Sequence, residues 1–221
     1  MFNLSSNFFS AVCVGNFNPG ILSIDFIKEK CNYTFEGHPI EEPSPVVTKI
    51  TDDKMSIFVD FSKFQVLRNE YDTNSAKKTL ELALNYLKIL EYTPIRAFGV
   101  NFQYTVSSFI QEIIDDNFYN HIKNVGLKFY SPIELIATKV YTKDSMKKLR
   151  GLDLRLENYL DFRCNVNLNN LDSNLILNIN IELNNLEKQR SNIDNIVNKF
   201  DDVISIRDKF ITEIFDNYVQ K

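Results

Sequence analysis

The chain of 221 residues is long enough to bury a sizeable core, as one domain or two small ones. Its 44% hydrophobic and 24% charged residues are typical of a folded globular protein and exclude a disordered chain. A net charge of -4 excludes the strong basic excess of a general nucleic-acid coat, but it leaves room for a local basic patch.

The predicted elements of the first half are separated by clear turn and capping signals. In chain order they are a strand at 11–17, a brief helix at 21–30, a proline-rich loop at 32–45, a hairpin with arms at 44–50 and 55–69, a helix at 75–92, a strand at 95–106 and a helix at 108–125. Apolar residues alternate in the second hairpin arm, where Ser62 and Lys63 suggest a bulge. Leu80, Leu84 and Leu87 recur at helical spacing after a cap at Asn74 or Ser75.

The second half contains an asparagine-rich tract that alternates with apolar residues. Leu177, Ile179 and Ile181 occupy every second position, with Asn178 and Asn180 between them. This period predicts a half-buried hairpin rather than a disordered tract. Three strand-like arms are expected at 127–143, 152–170 and 173–185, followed by one long helix at 185–220 with a broad apolar stripe.

These elements predict an α+β fold, with antiparallel sheet covered on one side by helices. A strand–strand–helix arrangement is expected twice, with sub-halves at 1–126 and 127–221 of a single domain that ends in the long helix. The three cysteines, Cys13, Cys31 and Cys164, are widely spaced without a CxxC pair, which predicts reduced thiols. The N-terminal stretch lacks the pattern of an export signal, so a cytoplasmic location without membrane association is expected.

Two sequence runs carry a resemblance to a known family. "FSKFQVLRNE" and "YTPIRAFGVNFQY", with the helix between them, resemble a sporadically distributed, uncharacterised family of bacterial proteins. That family pairs a strand–helix half with a meander and a closing helix. The resemblance implies this topology and a bacterial accessory role of the kind that mobile or defence-associated genes have. It implies no activity and assigns no residue.

The preferred functional hypothesis is a non-enzymatic protein-interaction module, an accessory subunit of a larger bacterial assembly such as a phage-defence system. The sequence lacks glycine-rich phosphate loops and the HExxH and GxSxG motifs, so no catalytic residue, cofactor or metal is expected. Part of the last helix would dock onto a protein partner, in a hetero-complex or a homo-oligomer. The candidate partner-binding residues are Phe210, Ile214, Phe215 and Tyr218.

The first alternative is a nucleic-acid-associated protein that uses a basic turn at 139–150. Its candidate residues are Lys139, Lys143, Lys147, Lys148 and Arg150, with Tyr130 and Tyr141 beside them. Such a loop can contact phosphates, although exposed turns are also rich in lysine for solubility.

The second alternative is a hydrolytic enzyme centred on His38. This histidine lies in the acidic loop "EGHPIEEP", close to Glu36, Glu41 and Glu42, where a metal or acid–base site is conceivable. The other histidine, His121, follows Asp115 and Asp116 at a spacing that does not place them squarely on one helix face.

Overall fold

The computed structural model describes residues 2–108, 121, 124, 134–143, 148–159, 162–171, 174–183 and 199–216. These residues form an α+β fold in which the strand pairs are antiparallel. The strands are β1 (Phe2–Gly15), β2 (Ile40–Glu42), β3 (Val47–Thr51), β4 (Met55–Asp60), β5 (Lys63–Asn69), β6 (Ile95–Ser108), β7 (Glu134–Lys143), β8 (Lys148–Tyr159), β9 (Phe162–Leu171) and β10 (Asn174–Leu183). The helices are α1 (Ile24–Glu29), α2 (Thr73–Ile89) and α3 (Phe200–Ile211), with a 3₁₀ turn at Pro19–Ile21 and a π-helical turn at Thr212–Asp216.

The chain divides into two compact units, to which β1 and β6 both contribute. The first unit comprises 1–7, 102–184 and 201–221, and its strand order is β1-β6-β10-β9-β8-β7. The second comprises 8–101 and 185–200, with the order β2-β3-β4-β5-β1-β6. The α+β class, the antiparallel sheet and the C-terminal helix are therefore confirmed. The repeated arrangement in two halves is not confirmed, and the single-domain prediction remains a prediction.

The second unit has a core in which strand and helix residues meet as their periodicities predict. Every second residue of β4 and β5 is buried, and α2 buries one broad stripe. The ring of Phe64 on β5 stacks on that of Tyr86 on α2, with centroids 4.0 Å apart and planes within 9°. Both side chains are fully buried, and burial of one large apolar side chain contributes about 1.5–3 kcal/mol.

Two predicted strand arms are each a pair of consecutive antiparallel strands. The arm at 55–69 is β4 and β5, and the predicted bulge at Ser62–Lys63 is the turn between them. The carboxylate of Asp60 closes this turn by accepting from the backbone N–H groups of Ser62 and Lys63, each at 2.7 Å. Neither glycine nor proline marks the turn, because an aspartate side chain replaces the usual backbone contacts. The arm at 152–170 likewise divides into β8 and β9, where Tyr159 pairs with Phe162.

The N-cap of helix α2 lies two or three residues before the predicted cap at Asn74 or Ser75. Asp72 is the N-cap, and its carboxylate accepts from the N–H of Ser75 at 3.0 Å. Hydrogen bonds from the side chain and from the backbone N–H of Ser75 hold the pKa of the Asp72 carboxyl below its usual value. An aspartate at this position also interacts favourably with the positive end of the helix dipole.

The asparagine-rich tract is a hairpin, as its alternation predicts. Strands β9 and β10 pair in register from Phe162↔Leu183 to Leu171↔Asn174. The apolar positions of both strands are buried and the asparagines between them are half-buried. Beyond it, the predicted long helix is described only from Phe200, and the predicted helix at 108–125 lies outside the described residues except for His121.

Candidate functional site

The tip of the β7–β8 hairpin places two lysines opposite each other. Lys143 pairs with Lys148, the last pair before the turn, and Lys139 pairs with Asp153 further along the ladder. The register shifts between Tyr141↔Gly151 and Thr142↔Leu149, which makes Arg150 the extra residue of a β-bulge. In general, like charges directly opposite each other in an antiparallel pair are destabilising.

The predicted basic turn at 139–150 is mostly strand. Lys139 and Lys143 belong to β7, and Lys148 and Arg150 belong to β8. Only 144–147, which include Lys147, lie between the strands, and they are outside the described residues, as is Tyr130. The ladder therefore holds the backbone of most of the basic candidates in a defined register.

A hydrogen-bonded row of polar side chains crosses three strands of the same unit. The hydroxyl of Thr105 donates to Asn7 Oδ1 at 3.0 Å, and Asn7 Nδ2 donates to Gln103 Oε1 at 3.1 Å. Gln103 Nε2 then donates to Asn178 Oδ1 at 2.8 Å. We call these four residues, on β1, β6 and β10, the amide row. All four are half-buried, so each retains contact with solvent.

The sheet register continues the amide row towards the basic hairpin. Asn178 pairs with Asn167 on β9, Asn167 pairs with Asp153 on β8, and Asp153 pairs with Lys139 on β7. On the same strands, Asn165 Nδ2 donates to Asn180 Oδ1 at 3.3 Å, and Asn169 Nδ2 donates to Asn167 Oδ1.

The β1 and β6 members of the amide row are not among the residues that the sequence predicted to be functional. The available signal was the alternation "NFQYTV", which places Gln103 and Thr105 between residues that proved buried. The pairing of Asn7 with them is a long-range contact that no sequence period reveals.

Three of the four predicted partner-binding residues at the end of the chain are buried. Phe210 and Ile214 are 0% exposed and Phe215 is 1% exposed, while Tyr218 lies outside the described residues. Helix α3 lies against β6, where Arg207 donates to the hydroxyl of Tyr104 at 3.3 Å and lies 5.5 Å from the centroid of Phe102. The stripe therefore belongs to the core of its own chain and leaves no exposed surface at these positions.

His121 contacts the backbone that follows α3. Its Nε2 lies 2.9 Å from the carbonyl oxygen of Glu213 and 3.2 Å from that of Ile214. Because both partners are carbonyl oxygens, which only accept hydrogen bonds, Nε2 is the ring nitrogen that donates. The contact gives this histidine a structural role.

The loop around His38 does not gather its neighbouring carboxylates into one site. His38 is exposed, whereas Glu36 accepts from Arg68 at 2.8 Å and Glu41 accepts from the N–H of Ile24 at 2.8 Å. The hydrogen bond from Arg68 holds the pKa of the Glu36 carboxyl below its usual value. Within the described ranges, no group of three His, Cys, Asp or Glu side chains is arranged to hold a metal ion.

Two buried thiols lie in the second unit and are chemically inert. Burial raises the pKa of Cys13 to about 12 and that of Cys31 to about 12. Because the thiolate is the reactive form, neither cysteine is suited to nucleophilic chemistry. The hydroxyl of Tyr86 is buried and has no hydrogen-bond partner among the described residues, and burial raises its pKa.

No family model and no curated protein matches the chain. Among solved structures it is similar to the "Rolling Circle Replication Initiator Protein from Geobacillus stearothermophilus". The identity is 9%, the TM-score is 0.34, and the match covers 83% of this chain and 74% of that chain. A likeness this distant carries no argument about the activity of this chain.

The prediction of a non-enzymatic protein-interaction module is wrong. The apolar stripe of the last helix, on which the prediction rested, is buried within its own chain at Phe210, Ile214 and Phe215. The accessory-subunit and phage-defence roles have no support either. Over the described residues, no helix is both long and apolar enough to cross a membrane.

Proposed function

We propose that the chain is a nucleic-acid-associated protein that contacts phosphates with the end of the β7–β8 hairpin. The observation that supports this is the cross-strand pairing of Lys143 with Lys148. Lys147 and Arg150 lie close to this pair in the sequence. Four cationic residues and the single acidic Asp144 therefore fall within 143–150. A like-charge cross-strand pair costs the sheet about 0.2–1 kcal/mol, and a bound polyanion offsets that cost.

The overall charge of the chain makes the location of this cluster important. With a net charge of -4, the whole molecule repels a polyanion at long range. Attraction therefore has to come from a local concentration of positive charge. Each phosphate that a lysine or arginine neutralises releases counterions, which makes the affinity fall steeply with salt.

The test is fluorescence anisotropy of labelled oligonucleotides against the whole chain, titrated between roughly 50 and 200 mM salt. We expect binding whose log–log salt slope becomes shallower by about 0.7–0.9 for each phosphate contact removed. The double variant Lys143→Ala with Lys148→Ala should therefore weaken binding at least about tenfold at low salt and reduce the slope by about 1.5.

The matched control is the double variant Lys77→Ala with Lys78→Ala, two exposed lysines of α2. It changes the net charge by the same amount, so it should leave both affinity and slope nearly unchanged. Equal losses in the two double variants, or no binding by the wild-type chain, would overturn the proposed function.

A further inference from the structure

The amide row is a one-way chain of donors and acceptors. Thr105 donates a hydrogen bond to Asn7, Asn7 donates to Gln103, and Gln103 donates to Asn178. Chains of this kind polarise their members, because every donor is also an acceptor of its neighbour. The polarity of the row therefore ends at the side-chain N–H groups of Asn178.

Within the part of the chain that the structure describes, the side-chain N–H groups of Asn178 have no acceptor. Its Oδ1 accepts from Gln103, while its Nδ2 donates to no atom of the described residues. The side chain is half-buried on β10, where it is held between neighbouring strands. A restrained amide that offers two N–H groups, with its carbonyl already engaged, is suited to bind a ligand group that accepts hydrogen bonds.

The register places this donor within a few residues of the proposed phosphate contacts. Asn178 shares its row with Asn167, Asp153 and Lys139, and Lys139 precedes Lys143 by four positions in β7. Four residues of strand span about 13–14 Å, and the row crosses strands about 4.8 Å apart. Three strand spacings add about 14 Å across the sheet, so the backbones of Asn178 and Lys143 are roughly 20 Å apart, a distance that a short single-stranded oligonucleotide can span.

We infer that the polar face of β6, β10 and β9 binds the base edges of a single-stranded nucleic acid, with Asn178 as the donor that selects the base. The inference rests on the proposed function, because the hairpin supplies the electrostatic attraction. Base edges are accessible to a sheet only where the strand is unpaired, whereas a duplex offers them in grooves.

The same geometry predicts which bases are preferred. Thymine and uracil present two carbonyl acceptors, whereas the edge of adenine includes an N–H₂ donor. With its Oδ1 engaged by Gln103, Asn178 is better matched to carbonyl acceptors than to a donor. None of the four side chains of the amide row is aromatic, so hydrogen bonding rather than stacking decides the preference.

The test compares anisotropy titrations of the whole chain with oligo(dT), oligo(dA) and a duplex of equal length. We expect oligo(dT) to bind about tenfold more tightly than oligo(dA), and both to bind more tightly than the duplex. The variant Asn178→Ala should lower the dT-to-dA ratio to about twofold or less, while the salt slope stays unchanged. Asn74→Ala, an exposed asparagine of α2, is the control that should keep the wild-type ratio.

Equal affinity of the wild-type chain for dT and dA, or tighter binding of the duplex, overturns the inference and leaves the proposed function standing. Retention of the wild-type ratio by Asn178→Ala overturns it as well. Because the ratio is measured on the wild-type chain first, the inference stays testable if the variant fails to fold. Absence of binding to all three probes overturns the proposed function itself.

Discussion

The hairpins β4–β5 and β7–β8 differ in the partners of their charged residues. At the first, Asp60 accepts from its own turn, and Lys63 donates to Gln65 at 3.1 Å and lies 4.7 Å from the ring centroid of Phe58. At the second, Lys143 is in register with Lys148. Charges that are satisfied within a hairpin stabilise it, whereas like charges held together by the ladder favour an anionic partner.

The largest expected effect concerns the core beneath the first hairpin. Phe64→Ala should lower the free energy of unfolding by about 3–5 kcal/mol, because it removes a fully buried ring stacked on Tyr86. Urea unfolding followed by circular dichroism measures it. Phe61→Ala, in the same hairpin but 57% exposed, should change stability by less than about 0.5 kcal/mol. Similar losses in the two variants would show that the hairpin does not pack as described.

A smaller effect is expected at the turn of the same hairpin. Asp60→Ala leaves the N–H groups of Ser62 and Lys63 without their acceptor, which should cost about 1–3 kcal/mol. Asp53→Ala, an exposed aspartate of the preceding turn, is the control.

The Asp60 carboxylate also makes stability depend on pH. Burial raises the pKa of this carboxyl, but hydrogen bonds from Ser62 and Lys63 outweigh it and hold the pKa below the ordinary value. A carboxyl whose folded pKa is lowered stabilises the protein above its unfolded value of about 3.9, and this stability is lost as pH falls through the folded pKa. Asp60→Asn should therefore flatten the fall in Tm below about pH 4; an unchanged pH profile would contradict the role of the turn.

The smallest expected effect on stability comes from the second hairpin. Lys148→Glu replaces a like-charge cross-strand pair by an attractive one, so it should raise the free energy of unfolding by about 0.2–1 kcal/mol. The same variant should weaken oligonucleotide binding, since it reverses one charge of the proposed phosphate contact. A loss of stability together with unchanged oligonucleotide binding would contradict both the like-charge pairing of Lys143 with Lys148 and the proposed phosphate contact.

Local patterns in the sequence determined the α+β class, the antiparallel strands and the hairpin nature of the asparagine-rich tract. Alternation and helical spacing are properties of one segment of sequence, so they can be recognised without knowing which other segments it contacts. The division of two predicted arms into separate strands, after Asp60 and after Tyr159, was not predicted because neither place contains glycine or proline. Strand β1 was expected at 11–17 and occupies Phe2–Gly15, since polar residues on its solvent-facing side hide the alternation.

Only the tertiary structure decided what the apolar and polar stripes contact. The sequence shows that the last helix has an apolar face, but not that Phe210 and Phe215 are buried within their own chain. It shows polar residues on β1, β6 and β10. It does not show that Asn7, Gln103 and Asn178 form one row, because Asn7 and Gln103 are 96 residues apart in the sequence and Gln103 and Asn178 are 75 apart. Cross-strand register likewise fixed the pairing of Lys143 with Lys148. The physical reason is that burial and pairing depend on contacts between distant segments, whereas periodicity records only the preference of each segment for one exposed and one buried face.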